Sequence, residues 1–590
     1  MKRRNLTILL FALLLVVGAF GIFTGRQAQP DDTPDNTSDP TTPPYTLMIY
    51  MNGSDLESEF GAATDDLAEM LDSGLRSQNA NVLILTGGAK RWQNTAIPEN
   101  ECVIWQLSDG NINELKSMGK VNMGSPDTLR DFITYSMCNF PAEKYGLIMW
   151  DHGGGSIAGF GHDEQFNDAS LTLPDMKKAF TEAGLADNKL EFLGFDACLM
   201  ATVEMAVLAS DFARVLIAAE DLEPGEGWDY RFLAAFNDNP RICGFELGEI
   251  IVDSFFDFFE ALGIADEEIL TLSVIDLSNV APVMAAMGEL MAHDLTAASF
   301  PSMAKRRAAT KTFGEGSPRD NYADMVDIGD MAIQLADKFP REAAAILRAL
   351  ADCVTYNRHN SDVEIFGLST FYIYGGKSEG GLSLRIYSAL GMDTSYTEFL
   401  HQFFEKLVTG NNETIQTEYV LWQPLENGNF ALAGLSPEAA PNGAASEATV
   451  SRAQWPRIND INVALFPIST TQNAARYAIP ANVNGQDADI IIITTPEHPD
   501  GKILGIRYNS GNVFQKGYDK IEESDIITLY RLEYDFTTPG AERTSLDGAT
   551  WTKSDQPLTH PITLTWQPAP EGFIQGHRHT DICKCVTYSL

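Results

Sequence analysis

Two short segments of this 590-residue chain carry side chains suited to nucleophilic chemistry. The apolar run Tyr145–Trp150 leads into Asp151-His152-Gly153-Gly154-Gly155-Ser156, and the run Leu190–Phe195 leads into Asp196-Ala197-Cys198-Leu199-Met200. A thiolate held as an ion pair by an imidazole can attack a carbonyl, and the imidazolium can then protonate a leaving amine. Gly153 has no side chain, so its N–H can approach a developing oxyanion, with the N–H of Cys198 as the second donor. Ala201, Val203, Met205 and Ala206 continue from Cys198 in a helical pattern. That pattern predicts a thiol at a helix start, where the dipole favours the reactive thiolate.

Each residue alone has an ordinary explanation. A Cys at a strand end is most often a small core residue, and a His before glycines is often structural. His-Gly-Gly-Gly also occurs in esterase oxyanion loops, but those need G-x-S-x-G, which this chain lacks. Gly376-Lys377-Ser378 ends like a phosphate loop, yet Phe371 stands where that motif requires glycine.

For the two segments to meet, their strands must be parallel neighbours. Further apolar runs lie at Tyr45–Met51, Val82–Thr86, Val103–Leu107, Val215–Ala218, Ile269–Ile275 and Ile365–Tyr374. Helical patterns separate them, among them Leu129–Met137, Ile250–Leu262 and Val280–Met291, with Leu67, Met70 and Leu71 marking another face. This alternation predicts an α/β fold with a mainly parallel sheet covered on both faces, where function gathers at the carboxyl ends of strands. Asn52-Gly53-Ser54-Asp55, after the first strand, reads as a turn and helix cap.

From about Asn411 the texture changes. Glu418–Trp422, Phe430–Leu435, Ile461–Ile468, Asp489–Thr495, Ile503–Ser510, Ile526–Phe536 and Ile562–Trp566 read as strands without intervening helices. Regularly spaced short strands predict an all-β, sandwich-like domain. Pro437–Ala448 reads as a flexible insertion. The chain therefore divides into an α/β domain over 45–410 and a β-rich domain over 411–590.

The amino terminus has a different purpose. Lys2, Arg3 and Arg4 precede an uncharged, apolar stretch from Asn5 to Gly25, the pattern of an export signal. Its length suits both a cleaved signal and a retained anchor over residues 1–29, and no Cys is placed for lipid attachment. The five prolines between Pro30 and Pro44 mark a linker over residues 30–44. The rest of the chain is thus expected outside the cytoplasm, secreted or surface-anchored, with membrane contact only through the first segment.

Composition narrows the partners. The 81 Asp and Glu outnumber 41 Lys and Arg for a net charge of −40, which repels phosphate backbones and argues against nucleic acid. Hydrophobic residues at 44% and charged residues at 21% are ordinary for a globular protein, so disorder is excluded for most of the chain. Seven cysteines exclude a disulfide-rich scaffold, and the odd count leaves at least one thiol free or intermolecular.

Strand-His-Gly followed by strand-Asp-Ala-Cys, about 46 residues on, resembles the clostripain family of cysteine peptidases, relatives of caspases and gingipains. Other segments agree in family order: Tyr45–Glu57 resembles its opening strand, Glu220–Tyr230 (EDLEPGEGWDY) its E-x-x-E-P-G-x-G-W-x-Y segment, and Asn321–Met331 its later Tyr/Asp-rich segment. The resemblance covers roughly residues 45–400. It implies a caspase-like α/β/α sandwich, His152 and Cys198 as a catalytic dyad, and protein or peptide substrates. Family members commonly cleave after Arg or Lys, using an acidic group at the floor of the pocket. Asp196 matches that position, and Glu226 lies on a loop that presents a second carboxylate; such groups select guanidinium by paired hydrogen bonds. Read as a residue alone, Asp196 equally suits a helix cap. Glu220 and Glu223 read as structural.

No cofactor is required by this chemistry and no metal ligands are assigned. Some relatives use calcium and acidic loops leave it open here, but no EF-hand spacing exists. His577, His579, Cys583 and Cys585 lie within nine residues, yet their C-x-C and H-x-H spacings miss the usual zinc patterns and suit alternate packing on a strand. The reading is an extracytoplasmic cysteine endopeptidase cleaving after basic residues. The competing class is a surface binding or adhesion protein that uses the β domain, with the α/β region as scaffold.

Overall fold

A computed structural model describes residues 43–265, 269–293, 295–296, 299–314, 323–374, 380–409, 420–424, 430–435, 454–459, 461–463, 465–471, 473–508, 517–534, 550–554, 556–568 and 574–576. The export segment, the Pro437–Ala448 insertion and the carboxyl-terminal His/Cys cluster lie outside the described residues. Among those described, no helix is long and apolar enough to cross a membrane.

The first strand, β1 (Tyr45–Asn52), is buried along its whole length, as an apolar run facing helices on both sides must be. Met48 and Tyr50 point into one core, while Tyr45, Leu47, Ile49 and Met51 point into the other. Around it lie β2 (Asn81–Gly87), β3 (Cys102–Ser108), β4 (Asn111–Gly119), β5 (Lys144–Trp150), β8 (Leu190–Asp196), β9 (Ala213–Ala218), β10 (Thr271–Asp276) and β13 (Val354–His359). Their order is β13-β10-β9-β8-β5-β1-β2-β3-β4. The five central strands β9, β8, β5, β1 and β2 are parallel, and each edge adds two strands by antiparallel pairing, so that only β10 and β3 run against the central direction.

Helices α1 (Ala62–Asp72) and α5 (Gly244–Leu262) cover one face; α2 (Pro126–Asn139), α3 (Leu173–Glu182), α4 (Val203–Ala209) and α6 (Val280–Met291) cover the other. The expected α/β/α sandwich is present. Between β5 and α3 the chain forms a small antiparallel pair, β6 (Phe160–Asp163) with β7 (Ala169–Leu171). The run Ile365–Tyr374 departs from expectation. Only β14 (Ser369–Phe371) is strand, and it joins β12 (Met325–Asp327) and β11 (Thr312–Phe313) in a separate small sheet.

Antiparallel strands fill the region beyond residue 420. Lys502–Tyr508, Gln486–Thr494 and Ala475–Val483 lie side by side and continue through Ile527–Tyr534 to Phe430–Leu435 and Val420–Pro424. A smaller sheet joins Ile461–Asn462, Gln454–Ile458 and Leu564–Pro568. Ile458 from the small sheet packs with Ile479, Ile490, Ile492 and Leu529 from the large one, which makes the region sandwich-like.

Candidate active site

The sheet register brings three strand ends together. In the parallel pairing Met51 lies opposite Trp150, and Trp150 lies opposite Asp196. Each strand's next few residues therefore leave the same edge, where open α/β sheets place their chemistry. These are Asn52–Asp55, Asp151–Gly153 and Ala197–Cys198.

His152 and Cys198 are both buried, at 2% and 0% exposure. Gly153 joins them, since a Cβ there would stand 3.0 Å from the Cys198 nitrogen and collide with the Cys198 carbonyl oxygen. Gly153 opposes Phe160 across an antiparallel bridge whose flanking bonds run from Gly154 N–H to the Gly159 carbonyl and from Gly161 N–H to the His152 carbonyl. That pattern leaves the Gly153 N–H out of the ladder with Phe160.

Cys198 does not begin a helix. Helix α4 starts only at Val203, where the Thr202 hydroxyl accepts from the Met205 N–H. The thiol instead sits on a turn whose next residue, Leu199, has φ of +64°, a left-handed conformation that costs a side-chain-bearing residue roughly 1–2 kcal/mol. Backbone bonds from Leu199 N–H to the Asp221 carbonyl and from Ala201 N–H to the Ala219 carbonyl hold that turn to the exit of β9. The helix dipole fades within one turn, so a different donor serves the sulfur: the Glu223 N–H points at Sγ over 3.2 Å. The Glu223 carbonyl lies 3.9 Å from the same Sγ, and the thiol is fully buried.

The His152 side is held by side chains. Asp151 is fully buried and accepts from the backbone N–H of His152 (2.7 Å), the Ser54 hydroxyl (2.7 Å) and the backbone N–H of His162 (2.8 Å), as well as from the Asn52 amide. Asp55 lies 2.9 Å from Nε2 of His152 and 3.0 Å from Nε2 of His162, both through Oδ1. The two imidazole rings stack at 5.0 Å, 11° from parallel. Burial works to raise the Asp55 pKa, but the attraction and hydrogen bonds of the two histidines hold it well below the usual carboxylate range. Burial works the other way on His162, and Asp55 and Asp151 outweigh it, lifting that imidazole to about 9.

Sequence reading missed Asp55 as a partner and did not single out His162. Asp55 reads as a helix cap, yet its side chain makes no cap bond. The only signal was its place just beyond the first strand. His162 follows Gly159-Phe160-Gly161 in a segment whose turn geometry has no fixed motif.

Asp196 ends β8 as a fully buried carboxylate rather than as a cap for α4. Its Oδ2 accepts from the Trp228 N–H at 3.3 Å and the Tyr230 hydroxyl at 3.0 Å. Burial, then the charge of Asp196, raises the Tyr230 phenol well above its ordinary value, so it remains a donor. Glu226 is exposed on the loop between Glu223 and Trp228. Glu220 and Glu223 support backbone and ring: Glu220 accepts from the Gly367 N–H, and Glu223 from the Trp228 indole.

Residues 49–412 match the model of the clostripain family. The clostripain of Hathewaya histolytica is 26% identical over 215 residues, which span 31% of this chain and 40% of that protein. The chain thus matches less than half the length of that relative. A secreted C11 cysteine protease from Bacteroides thetaiotaomicron, solved with an irreversible peptide inhibitor, is 17% identical, with 59% of this chain and 99% of that one covered and a TM-score of 0.46. An inactive zymogen C11 protease from Parabacteroides distasonis is 21% identical, with 61% and 99% covered and a TM-score of 0.46.

Proposed function

The chain belongs to the clostripain family, and on that premise we propose that it is an extracytoplasmic cysteine endopeptidase that cleaves peptide bonds after Arg or Lys. The observation that supports the reading is the close approach of Gly153 to the Cys198 backbone, which sets the segments that carry His152 and Cys198 beside each other at the ends of β5 and β8.

Asp55 commits Nε2 of His152, so Nδ1 is the edge that serves the thiol. His152 takes the Cys198 proton, and the thiolate attacks the scissile carbonyl carbon. The oxyanion is met by the N–H groups of Gly153 and Cys198. When the C–N bond breaks, the imidazolium protonates the departing amine and a thioester remains. Water, deprotonated by His152, hydrolyses it to the free acid and restores the thiol. Asp55 is a positioning residue in this scheme: it fixes the ring and its tautomer and touches no substrate.

Asp196 forms the buried base of the pocket for the P1 side chain, oriented by Trp228 and Tyr230, with Glu226 at its exposed rim. The domain active in this way is a single chain. Between His152 and Cys198 the only Lys or Arg residues are Lys177, Lys178 and Lys189. The first two lie in α3, whose start is fixed by a Thr172–Asp175 capping box, and the third is tied through Nζ to the Ser210 carbonyl beside β8. A peptidase binds its substrate extended, so cutting α3 requires local unfolding.

Peptide hydrolysis by Asp196→Ala tests the specificity. Losing the partner of a desolvated guanidinium should cost about 2–5 kcal/mol in kcat/KM on Arg peptides. Unchanged kcat/KM on Arg peptides, with apolar or acidic P1 residues cut equally well, would place the pocket elsewhere.

A further inference from the structure

We infer that Asp55, His152 and His162 form a site for a divalent transition-metal ion of the zinc type, which silences the peptidase by occupying its general base; this rests on the role proposed above for His152. One oxygen of Asp55 and one nitrogen of each histidine lie within 4.8 Å of one another. The stacked rings turn their Nε2 atoms to the same side, with Asp55 Oδ1 at 2.9 and 3.0 Å.

Orienting His152 needs one carboxylate, and Asp55 supplies it. The second imidazole is more than that task requires. His162 is 9% exposed, and its Nδ1 is buried with no hydrogen-bond partner, so Asp55 alone holds the polar edge of the ring. Such an arrangement calls for a reason beyond packing. Two imidazoles and a carboxylate with a fourth position open are a donor set for zinc, whereas calcium and magnesium prefer oxygen ligands throughout.

The frame behind the ligands is shared. Asp151 accepts the backbone N–H of His152 on Oδ1 and that of His162 on Oδ2, which fixes the two ligand-bearing segments to each other. An ion has a way in, because the Asp55 side chain is 28% exposed while the histidines are buried, and the exposed Glu59 stands four residues away on a strongly acidic protein. Binding replaces the protons that the imidazoles share with Asp55. With a metal on Nε2, the neutral His152 ring keeps its one proton on Nδ1 and cannot accept another from Cys198.

Zinc uptake by the full chain tests this, in a Cys583→Ser/Cys585→Ser background that removes the carboxyl-terminal thiols. About one zinc per chain is expected after desalting, both in that background and with Cys198→Ala added. His162→Gln, and Asp55→Asn as a second variant, should each weaken uptake at least about tenfold. Cobalt in place of zinc should give visible d–d bands without a sulfur-to-cobalt charge-transfer band. Absence of stoichiometric uptake, uptake that survives both ligand variants, or uptake lost with Cys198→Ala would overturn the site. Hydrolysis by the zinc-free chain is read separately: a chain that takes up zinc as expected yet cleaves no peptide contradicts the peptidase reading, not the metal site.

Discussion

The two strand ends that meet in the candidate active site are built by different means. The β5 end is a web of side chains, in which Asp151 gathers Ser54, Asn52 and the backbone of both histidines, and Asp55 ties His152 to His162. The β8 end is fixed by backbone: the Leu199 turn hangs on Ala219 and Asp221, the Glu223 N–H meets the sulfur, and Gly153 lies flat against Cys198. A general base must hold a ring angle and a proton, which carboxylates can set. A nucleophile on a turn needs its position fixed and its N–H aimed, which main-chain bonds do without adding charge. With His152 as the proposed base and Cys198 as the proposed nucleophile, the difference implies that side-chain substitution loosens the base in steps, while the nucleophile's end fails when the backbone approach itself is blocked.

The sharpest way to break that contrast is Gly153→Ala. A single methyl group must displace the Cys198 carbonyl and the donor pair around it, and about a 100- to 1000-fold loss of kcat is expected. Steady-state kinetics with a melting curve decides it. Near-normal turnover in a folded variant would mean that the two backbones do not need their close approach.

Asp55→Asn probes the other end and should do less. The amide keeps the shape but no longer holds Nε2–H as a carboxylate does, so kcat should fall about 10- to 100-fold with KM little changed. The pH profile should shift as well, which a purely structural role would not produce. If kcat and its pH dependence both stayed at the wild-type values, Asp55 would not position the base.

A smaller effect is expected behind the nucleophile's end, where Glu220 and Asp327 are buried together. Burial is the main cause that raises both, Asp327 to about 7. A carboxyl raised above its usual 3.8 contributes stability that is fully present below that value and lost as pH rises through about 7. Melting temperature should therefore fall across that window. Glu220→Gln, which can still accept from Gly367, should flatten the fall and melt higher than wild type at the alkaline end. Parallel melting curves for the two chains would remove the pair as a source of the slope.

Legibility in the sequence followed the same divide. The ends of β1, β5 and β8 could be read because strands buried on both faces are long apolar runs, and His152, Gly153 and Cys198 follow them directly. The edge strands β4 and β13 carry few apolar residues and went unread. So did Ala475–Val483, where Pro480 inside the strand argues against a ladder. The supposed helix start at Cys198 failed because Leu199 adopts a left-handed turn that its residue type does not announce. Asp55 and His152 are 97 residues apart, and no local pattern encodes a bond across that distance.

The most direct test of the account is intact-mass analysis after reaction with an irreversible peptidyl probe carrying Lys or Arg at P1. The probe chooses among the seven cysteines of the chain; of the described ones, Cys102, Cys138, Cys243 and Cys353 lie outside the histidine web, and burial pushes the Cys102 and Cys353 thiols up. The expected result is one unbroken chain bearing one label, located on Cys198 by peptide mapping, with labelling lost in His152→Ala. A label on another cysteine, or one on Cys198 that is indifferent to His152, would contradict the dyad at the meeting of β5 and β8.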